Sequence, residues 1–251
     1  MNSLIITPLG TVSPYCKGES NCPGFLVTYK DKRILLDCGN GITRLLNLPI
    51  DLDNLSVFIT HLHKDHIGDL GSLQYASYVY HNLGLLTEEV DIYLPQFEKC
   101  DHIINTQEAF VNYYDINERV EYTVDDMKIS FHNNNSHTVP SYVVKLENER
   151  FKIVYTSDIG NINLGYLANF SQGADLLICE SSFIKKHNIS SNTHLHAYEA
   201  AQVAATAEVK KLMLTHFWPE TPKSEYLAEA KEVFENTMIA EEGKVLKLWK
   251  N

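Results

Sequence analysis

Three imidazoles and a carboxylate fall within six residues at His61-Leu62-His63-Lys64-Asp65-His66. They follow the run Ser56-Val57-Phe58-Ile59, which reads as a buried strand ending in a tight loop. Strand ends of this kind are where α/β layers place chemistry. Alternate side chains of an extended segment point the same way, so His61 and His63 suit one ion, and Asp65 and His66, past the bend, suit another. A single histidine in such a loop would be an ordinary solvated residue. Four donors in this pattern make a two-cation site the stronger expectation.

Further candidate donors stand where other strand-like runs end. In Phe131-His132-Asn133-Asn134-Asn135-Ser136-His137-Thr138 a strand gives way to a polar turn. His137 follows the turn, while His132, the competing candidate, keeps to the strand pattern. Asp158 follows Lys152-Ile153-Val154-Tyr155-Thr156-Ser157. A carboxylate there can bridge two cations at the ~3.5 to 4 Å of two-metal hydrolysis, although Ser-Asp alone would read as a helix N-cap. Glu180 ends the buried run Leu176 to Cys179, His194 precedes a helix of small residues reaching Ala207, and His216 closes Leu212-Met213-Leu214-Thr215.

The His-x-His-x-Asp-His loop resembles the signature of the metallo-β-lactamase superfamily, and the resemblance extends over essentially the whole chain. It implies that His61, His63 and His137 hold one metal, that Asp65, His66 and His216 hold the second, and that Asp158 bridges them. It also places Asp37, in the turn Asp37-Cys38-Gly39-Asn40-Gly41, beneath the metals, where it would orient a ligand. Tyr155-Thr156-Ser157-Asp158, Cys179-Glu180-Ser181-Ser182-Phe183, His194 and Leu214-Thr215-His216-Phe217 are similar to motifs of the RNase Z-like branch. In that branch the counterpart of His194 contacts phosphate and assists the leaving group, with the counterpart of Glu180 nearby. His196 departs from the branch, which commonly has Ser or Thr there.

The fold implied is an αββα sandwich of two mixed β-sheets flanked by helices, forming one domain over residues 1–251. The activity implied is that of a dinuclear-metal phosphodiesterase acting on small phosphodiesters, 3′,5′-cyclic mononucleotides first among them. The phage anti-Pycsar enzymes, which act in host–virus defence, have this character. Two divalent ions, Zn²⁺ in the first place and Mn²⁺ in the second, would activate a water directed by Asp65, and His194 would donate a proton to the leaving oxygen. True RNase Z grips the tRNA elbow with a long arm. No inserted segment rich in Gly, Pro or basic residues stands here to form one. Precursor-tRNA 3′ processing and ester or lactone hydrolysis are the alternative activities. A di-iron oxidoreductase, in which glutamate replaces the second histidine, is opposed by His63, and a non-catalytic metal-bearing scaffold by the completeness of the donor set. A homodimer is expected by analogy.

The supporting elements read as strands at Leu4–Ile6, Phe25–Tyr29, Arg33–Cys38, Val90–Pro95, Val120–Thr123, Met127–His132, Arg150–Tyr155, Ala174–Glu180, Lys210–His216 and Lys244–Leu248. Helices are predicted over Ile42–Leu46, Gly68–Leu83, Ile103–Tyr114 and Ser224–Thr237, and a helix of small residues follows His194-Leu195-His196-Ala197 and runs to Ala207. Tyr75, Tyr78 and Tyr80 stand at helical spacing, and a core face is favoured for them over a base-stacking pocket. His81, His102, His132, His187 and His196 are expected at the surface.

The chain has 251 residues and a net charge of −11, with no Lys/Arg cluster. This disfavours a long nucleic acid, whose backbone is bound by concentrated positive charge. Bound cations would still let a small anion approach. No apolar run nears the ~18 residues of a membrane span, and no basic, apolar leader opens the sequence, so a cytoplasmic protein, or one in the host cytoplasm if phage-encoded, is expected. The five cysteines have no CxxC pair, consistent with reduced thiols; Cys16 and Cys22 read as incidental.

Overall fold

In the computed structural model, which describes residues 3–96 and 110–250, the chain forms two compact units. The first comprises residues 1–117 and 242–251, the second residues 118–241.

In the first unit, strands β1 (Leu4–Gly10), β2 (Gly24–Tyr29), β3 (Lys32–Leu36), β4 (Leu55–Phe58), β5 (Val90–Leu94), β6 (Val111–Asp115) and β14 (Leu246–Leu248) make one mixed sheet in the order β14-β1-β2-β3-β4-β5-β6. The hairpin of β2 and β3 closes on Lys30, whose φ of 55° is the left-handed conformation that a two-residue turn demands. From β3 through β6 neighbours run parallel, and β4, apolar but for Ser56, is buried along its whole length. Helix α2 (Leu70–Asn82) lays Leu70 and Leu73 onto Leu35, Val57, Ile59 and Ile92. Each such aliphatic side chain contributes about 1.5–3 kcal/mol by leaving water. Tyr75 and Tyr78 are exposed instead, at 58% and 38%, while Tyr80 packs, partly buried, on the same core as Leu70 and Leu73.

Most of the helix expected over Ile103–Tyr114, together with Cys100 and His102, lies outside the described residues. Its C-terminal part is a strand: Val111–Asp115 pairs in parallel with Val90–Leu94. Val111, Tyr113 and Tyr114 suit a pleated surface, and pairing with β5 overrides the weak helical spacing.

In the second unit, β7 (Tyr122–Val124), β8 (Met127–Asn133), β9 (Tyr142–Glu147), β10 (Lys152–Tyr155), β11 (Leu176–Glu180), β12 (Leu212–Thr215) and β13 (Thr237–Ile239) form the second mixed sheet, in the order β13-β12-β11-β10-β9-β8-β7. Helix α3 (Leu164–Ser171) and helix α4 (Ala197–Thr206) cover its core of Val154, Leu177, Leu212 and Leu214. The buried face of α4 is Ala197, Ala200, Ala201 and Ala204, small enough for close approach to Cys179 and Leu214. Helix α5 (Lys223–Lys231) is shorter than the expected Ser224–Thr237, because Thr237 already belongs to β13 beside β12. The four-residue helix α1 (Lys64–Ile67) lies within the histidine loop.

Strand direction decides where chemistry collects. In the first sheet β3 and β4 are parallel, so Asp37 and His61 leave the same sheet end. In the second, β10, β11 and β12 are parallel, and Asp158, Glu180 and His216 lie together at their C-terminal ends. The antiparallel hairpin of β8 and β9 brings the turn carrying His137 to that same end. Among the described residues no helix is long and apolar enough to cross a membrane.

Candidate metal centre

The cluster of the first unit is built around the buried Asp37. Asp37 takes a left-handed backbone, φ 61°, where a non-glycine residue costs about 1–3 kcal/mol, a strain typical of functional sites. Its Oδ1 accepts the Thr60 backbone N–H at 2.8 Å, and Oδ2 faces His66 Nδ1 at 2.7 Å. A carboxylate only accepts, so His66 carries its proton on Nδ1 and leaves Nε2 as a bare donor atom for a cation. The Thr60 hydroxyl gives its single proton to Asp37, at 2.9 Å from Oδ1, and therefore accepts from His61 Nδ1 at 3.1 Å. His61 is thereby fixed in the same tautomer. The rings of His63 and His66 stand 4.7 and 4.0 Å from that of His61, centroid to centroid. Asp65 Oδ2 accepts the Ser13 hydroxyl at 2.7 Å and lies 3.6 Å from His66 Nε2. Gly39 allows this packing, since a Cβ there would meet the Asp65 carbonyl oxygen at 2.1 Å.

The second unit repeats the device with different partners. His137 Nδ1 faces the Thr193 carbonyl at 3.2 Å, and its Nε2 stands 3.6 Å from Asp158 Oδ2. Ser182 Oγ donates to Glu180 Oε2 at 2.7 Å and so accepts from His216 Nδ1 at 2.8 Å. His216 Nε2 then lies 2.8 Å from Asp158 Oδ1. Asp158 is held through its backbone carbonyl, which accepts Asn134 Nδ2 at 2.8 Å and the Ser141 hydroxyl at 3.0 Å. His216 itself, φ 62°, and Ser157, φ 53°, are again left-handed. Donor atoms of Asp158, His194 and His216 all lie within 4.8 Å of one another.

The Nδ1 of His194 is committed elsewhere, to Glu180 Oε1 at 3.0 Å. Glu180 is 1% exposed and gathers the Ile159, Ser182 and Leu195 backbone N–H groups as well. A carboxylate so surrounded is fixed in place and orients the imidazole beside it. Glu180 is thereby in contact with His194 through Oε1. The His194 side chain remains 24% exposed.

This donor chemistry fits divalent cations. His61, His66, His137 and His216 each have Nδ1 tied to a backbone or side-chain oxygen, which makes Nε2 the lone-pair nitrogen and fixes the direction in which it points. Imidazole nitrogens with a few carboxylate oxygens are the donor set that zinc prefers. Replacing Asp37 with alanine is expected to weaken Zn²⁺ binding by about 10- to 100-fold, as loss of such a supporting carboxylate does. Competition with a chromophoric chelator measures this, and unchanged affinity would remove Asp37 from its supporting role.

The model of the β-lactamase superfamily domain matches residues 32–217, nearly three quarters of the chain and every donor named above. The chain belongs to the metallo-β-lactamase superfamily. Over 95% of its length this superfamily member is 28% identical to the probable metallo-hydrolase YhfI of Bacillus subtilis, covering 97% of that protein. The crystal structure of YhfI, a metallo-β-lactamase fold protein, superposes with a TM-score of 0.87 over 98% of this chain and 99% of that one, at 26% identity. Ribonuclease Z of Archaeoglobus fulgidus is 29% identical, with 94% of this chain and 95% of that enzyme aligned. A diphosphatase of the PhnP family shares the fold alone, with a TM-score of 0.78 at 15% identity and 99% and 98% coverage. The fold is therefore the expected one of two mixed sheets flanked by helices, and the chain is a metal-dependent hydrolase similar in sequence to YhfI and to Ribonuclease Z.

The residues that sequence spacing did not reveal are the ones that hold the donors. Ser13, Thr60, Ser182 and Asn134 carry no pattern of their own; Thr60, Asn134 and Ser182 stand in or beside stretches singled out for their histidines and carboxylates, and Ser13 in none of them. His196, expected at the surface, is 8% exposed and caps α4: its backbone N–H donates to Glu199 Oε2 at 2.8 Å, with its ring Nδ1 3.2 Å from the same oxygen. The other carboxylate oxygen of Glu199 accepts Asn161 Nδ2 at 3.1 Å, tying the Asp158 loop to the segment of His194. His132 and His187 are half-buried rather than at the surface, the first stacked on Tyr166 and the second bonded to Thr221.

Proposed function

We propose that the protein binds two divalent cations through the donors named above and hydrolyses small phosphodiesters, 3′,5′-cyclic mononucleotides first among them. His61, His63 and His137 would hold one ion and Asp65, His66 and His216 the other, with Asp158 between them. When bound, such ions supply a water of lowered pKa and neutralise charge that develops on the phosphoryl oxygens. Asp65, steadied by Ser13, would fix the direction of the attacking water. His194 would give its Nε2 proton to the departing ribose oxygen while Glu180 holds the Nδ1 proton and balances the positive charge. The observation that carries the reading is the Glu180–His194 pair standing beside Asp158 and His216, because a hydrolase that must expel a poorly leaving alkoxide needs a proton donor next to its metal ligands.

A small substrate is supported by the net charge of −11. It is supported also by the alignment with the archaeal Ribonuclease Z, which runs over 301 positions although this chain has 251 residues, so that enzyme carries segments absent here. Precursor-tRNA cleavage is the second reading, favoured by the 29% identity to the same enzyme. We expect a homodimer in the cytoplasm.

Purified protein loaded with Zn²⁺ or Mn²⁺ should hydrolyse one or more of a panel of 3′,5′-cyclic mononucleotides, and bis(p-nitrophenyl) phosphate, and leave precursor tRNA intact. Efficient tRNA cleavage with inert cyclic nucleotides would overturn the substrate assignment in favour of the second reading. Turnover of a lactone alone would overturn both.

A further inference from the structure

Cys16 and Cys22 share the loop between β1 and β2, with their Sγ atoms 3.4 Å apart. Cys16 is exposed and Cys22 buried. Both are tied to one carbonyl, that of Asn40, by Cys16 Sγ at 3.3 Å and by the Cys22 backbone N–H at 3.0 Å. The base of the loop is fixed as well: the Thr11 and Val12 N–H groups donate to the Asn21 carbonyl at 2.8 and 3.1 Å, and the Asn21 N–H donates to Glu242 at 3.0 Å. The two thiols are therefore held as neighbours by the backbone around them. Ser13, which donates to Asp65, belongs to the same loop.

We propose that Cys16 and Cys22 are a dithiol modification site, oxidised to an intraloop disulfide by exchange with a low-molecular-weight disulfide. Burial pushes the Cys22 thiol up, so the external reagent reacts first at Cys16. The Cys16 thiolate attacks one sulfur of the reagent, forms a mixed disulfide and expels one thiolate, which takes up a proton. Cys22 then loses its proton to solvent, attacks Cys16 Sγ and expels the second thiolate. The protein gives up two electrons and two protons, and the reagent's disulfide is reduced to two thiols. Cys38 and Cys179, both buried and pushed up by burial, stay out of the exchange.

The test uses the full chain carrying Cys100→Ser, incubated natively with glutathione disulfide and read by intact mass and peptide mapping, with circular dichroism confirming that each variant is folded. The expected product is a Cys16–Cys22 disulfide, two hydrogens lighter and free of glutathione, reversed by dithiothreitol. In Cys22→Ser the reaction should stop with one glutathione on Cys16. In Cys16→Ser, Cys22 should remain a thiol. Glutathione retained on Cys16 with Cys22 present, absence of reaction at Cys16, or modification of Cys38 or Cys179 in its place would each overturn the proposal.

Discussion

Asp158→Ala is expected to lower the metal content from two ions per chain to one or none and to slow phosphodiester hydrolysis by about 10³-fold or more. The size follows from the cations' share of transition-state stabilisation, several kcal/mol, at about 1.4 kcal/mol per factor of ten. The carboxylate oxygens of Asp158 stand 3.6 Å from His137 Nε2 and 2.8 Å from His216 Nε2. Removing it leaves those donors with neither the charge nor the bridge that a pair of dications needs. The backbone of Asp158 is held by Asn134 and Ser141 through its carbonyl oxygen, so the loop has reason to keep its shape in the variant. Elemental analysis of gel-filtered protein gives the stoichiometry, and circular dichroism checks the fold. Two tightly held ions in the variant would exclude Asp158 as the bridging ligand.

His194→Ala should behave in the opposite way, retaining both ions while turnover of a cyclic mononucleotide falls by about 10²- to 10⁴-fold, the usual worth of a positioned proton donor. The substrate dependence makes the role distinct from structural support. A ribose alkoxide needs protonation as it leaves, whereas p-nitrophenolate does not. The variant should therefore lose far less activity on bis(p-nitrophenyl) phosphate than on the cyclic nucleotide. Glu180→Gln should follow the same pattern more mildly, since Glu180 acts through the Nδ1 proton of His194 at 3.0 Å. Equal losses on both substrates would mean that His194 positions something else.

The expected strand-end positions are legible for His61, Asp158, Glu180 and His216, since β4, β10, β11 and β12 end at or just before them. Asp158 illustrates the limit. Ser157-Asp158 has the form of a helix cap, and only the histidine loop elsewhere in the chain decides between a cap and a ligand. In the structure the three-residue 3₁₀ turn Asn161–Asn163 begins just beyond it, and no side chain caps that turn. The hydrogen bonds behind the donors were not legible: Thr60 lies next to His61 in sequence but works by joining it to Asp37, and Ser182 joins Glu180 to His216 across residues far apart in the chain. Such pairings depend on which strands lie parallel, and sequence periodicity does not specify that. The same gap explains Val111–Asp115, where a neighbouring strand rather than the local pattern decides the backbone, and His196, whose cap function depends on Glu199 one turn later.

The proposed hydrolysis depends on the donors of this chain holding a pair of cations. Anomalous diffraction at the zinc edge from a crystal of the Zn²⁺-loaded protein tests this directly. It should show two peaks ~3.5 to 4 Å apart, one coordinated by His61, His63 and His137, the other by Asp65, His66 and His216, with Asp158 touching both. Peaks on other residues, or His137, Asp158 and His216 lying remote from the histidine loop, would contradict the account.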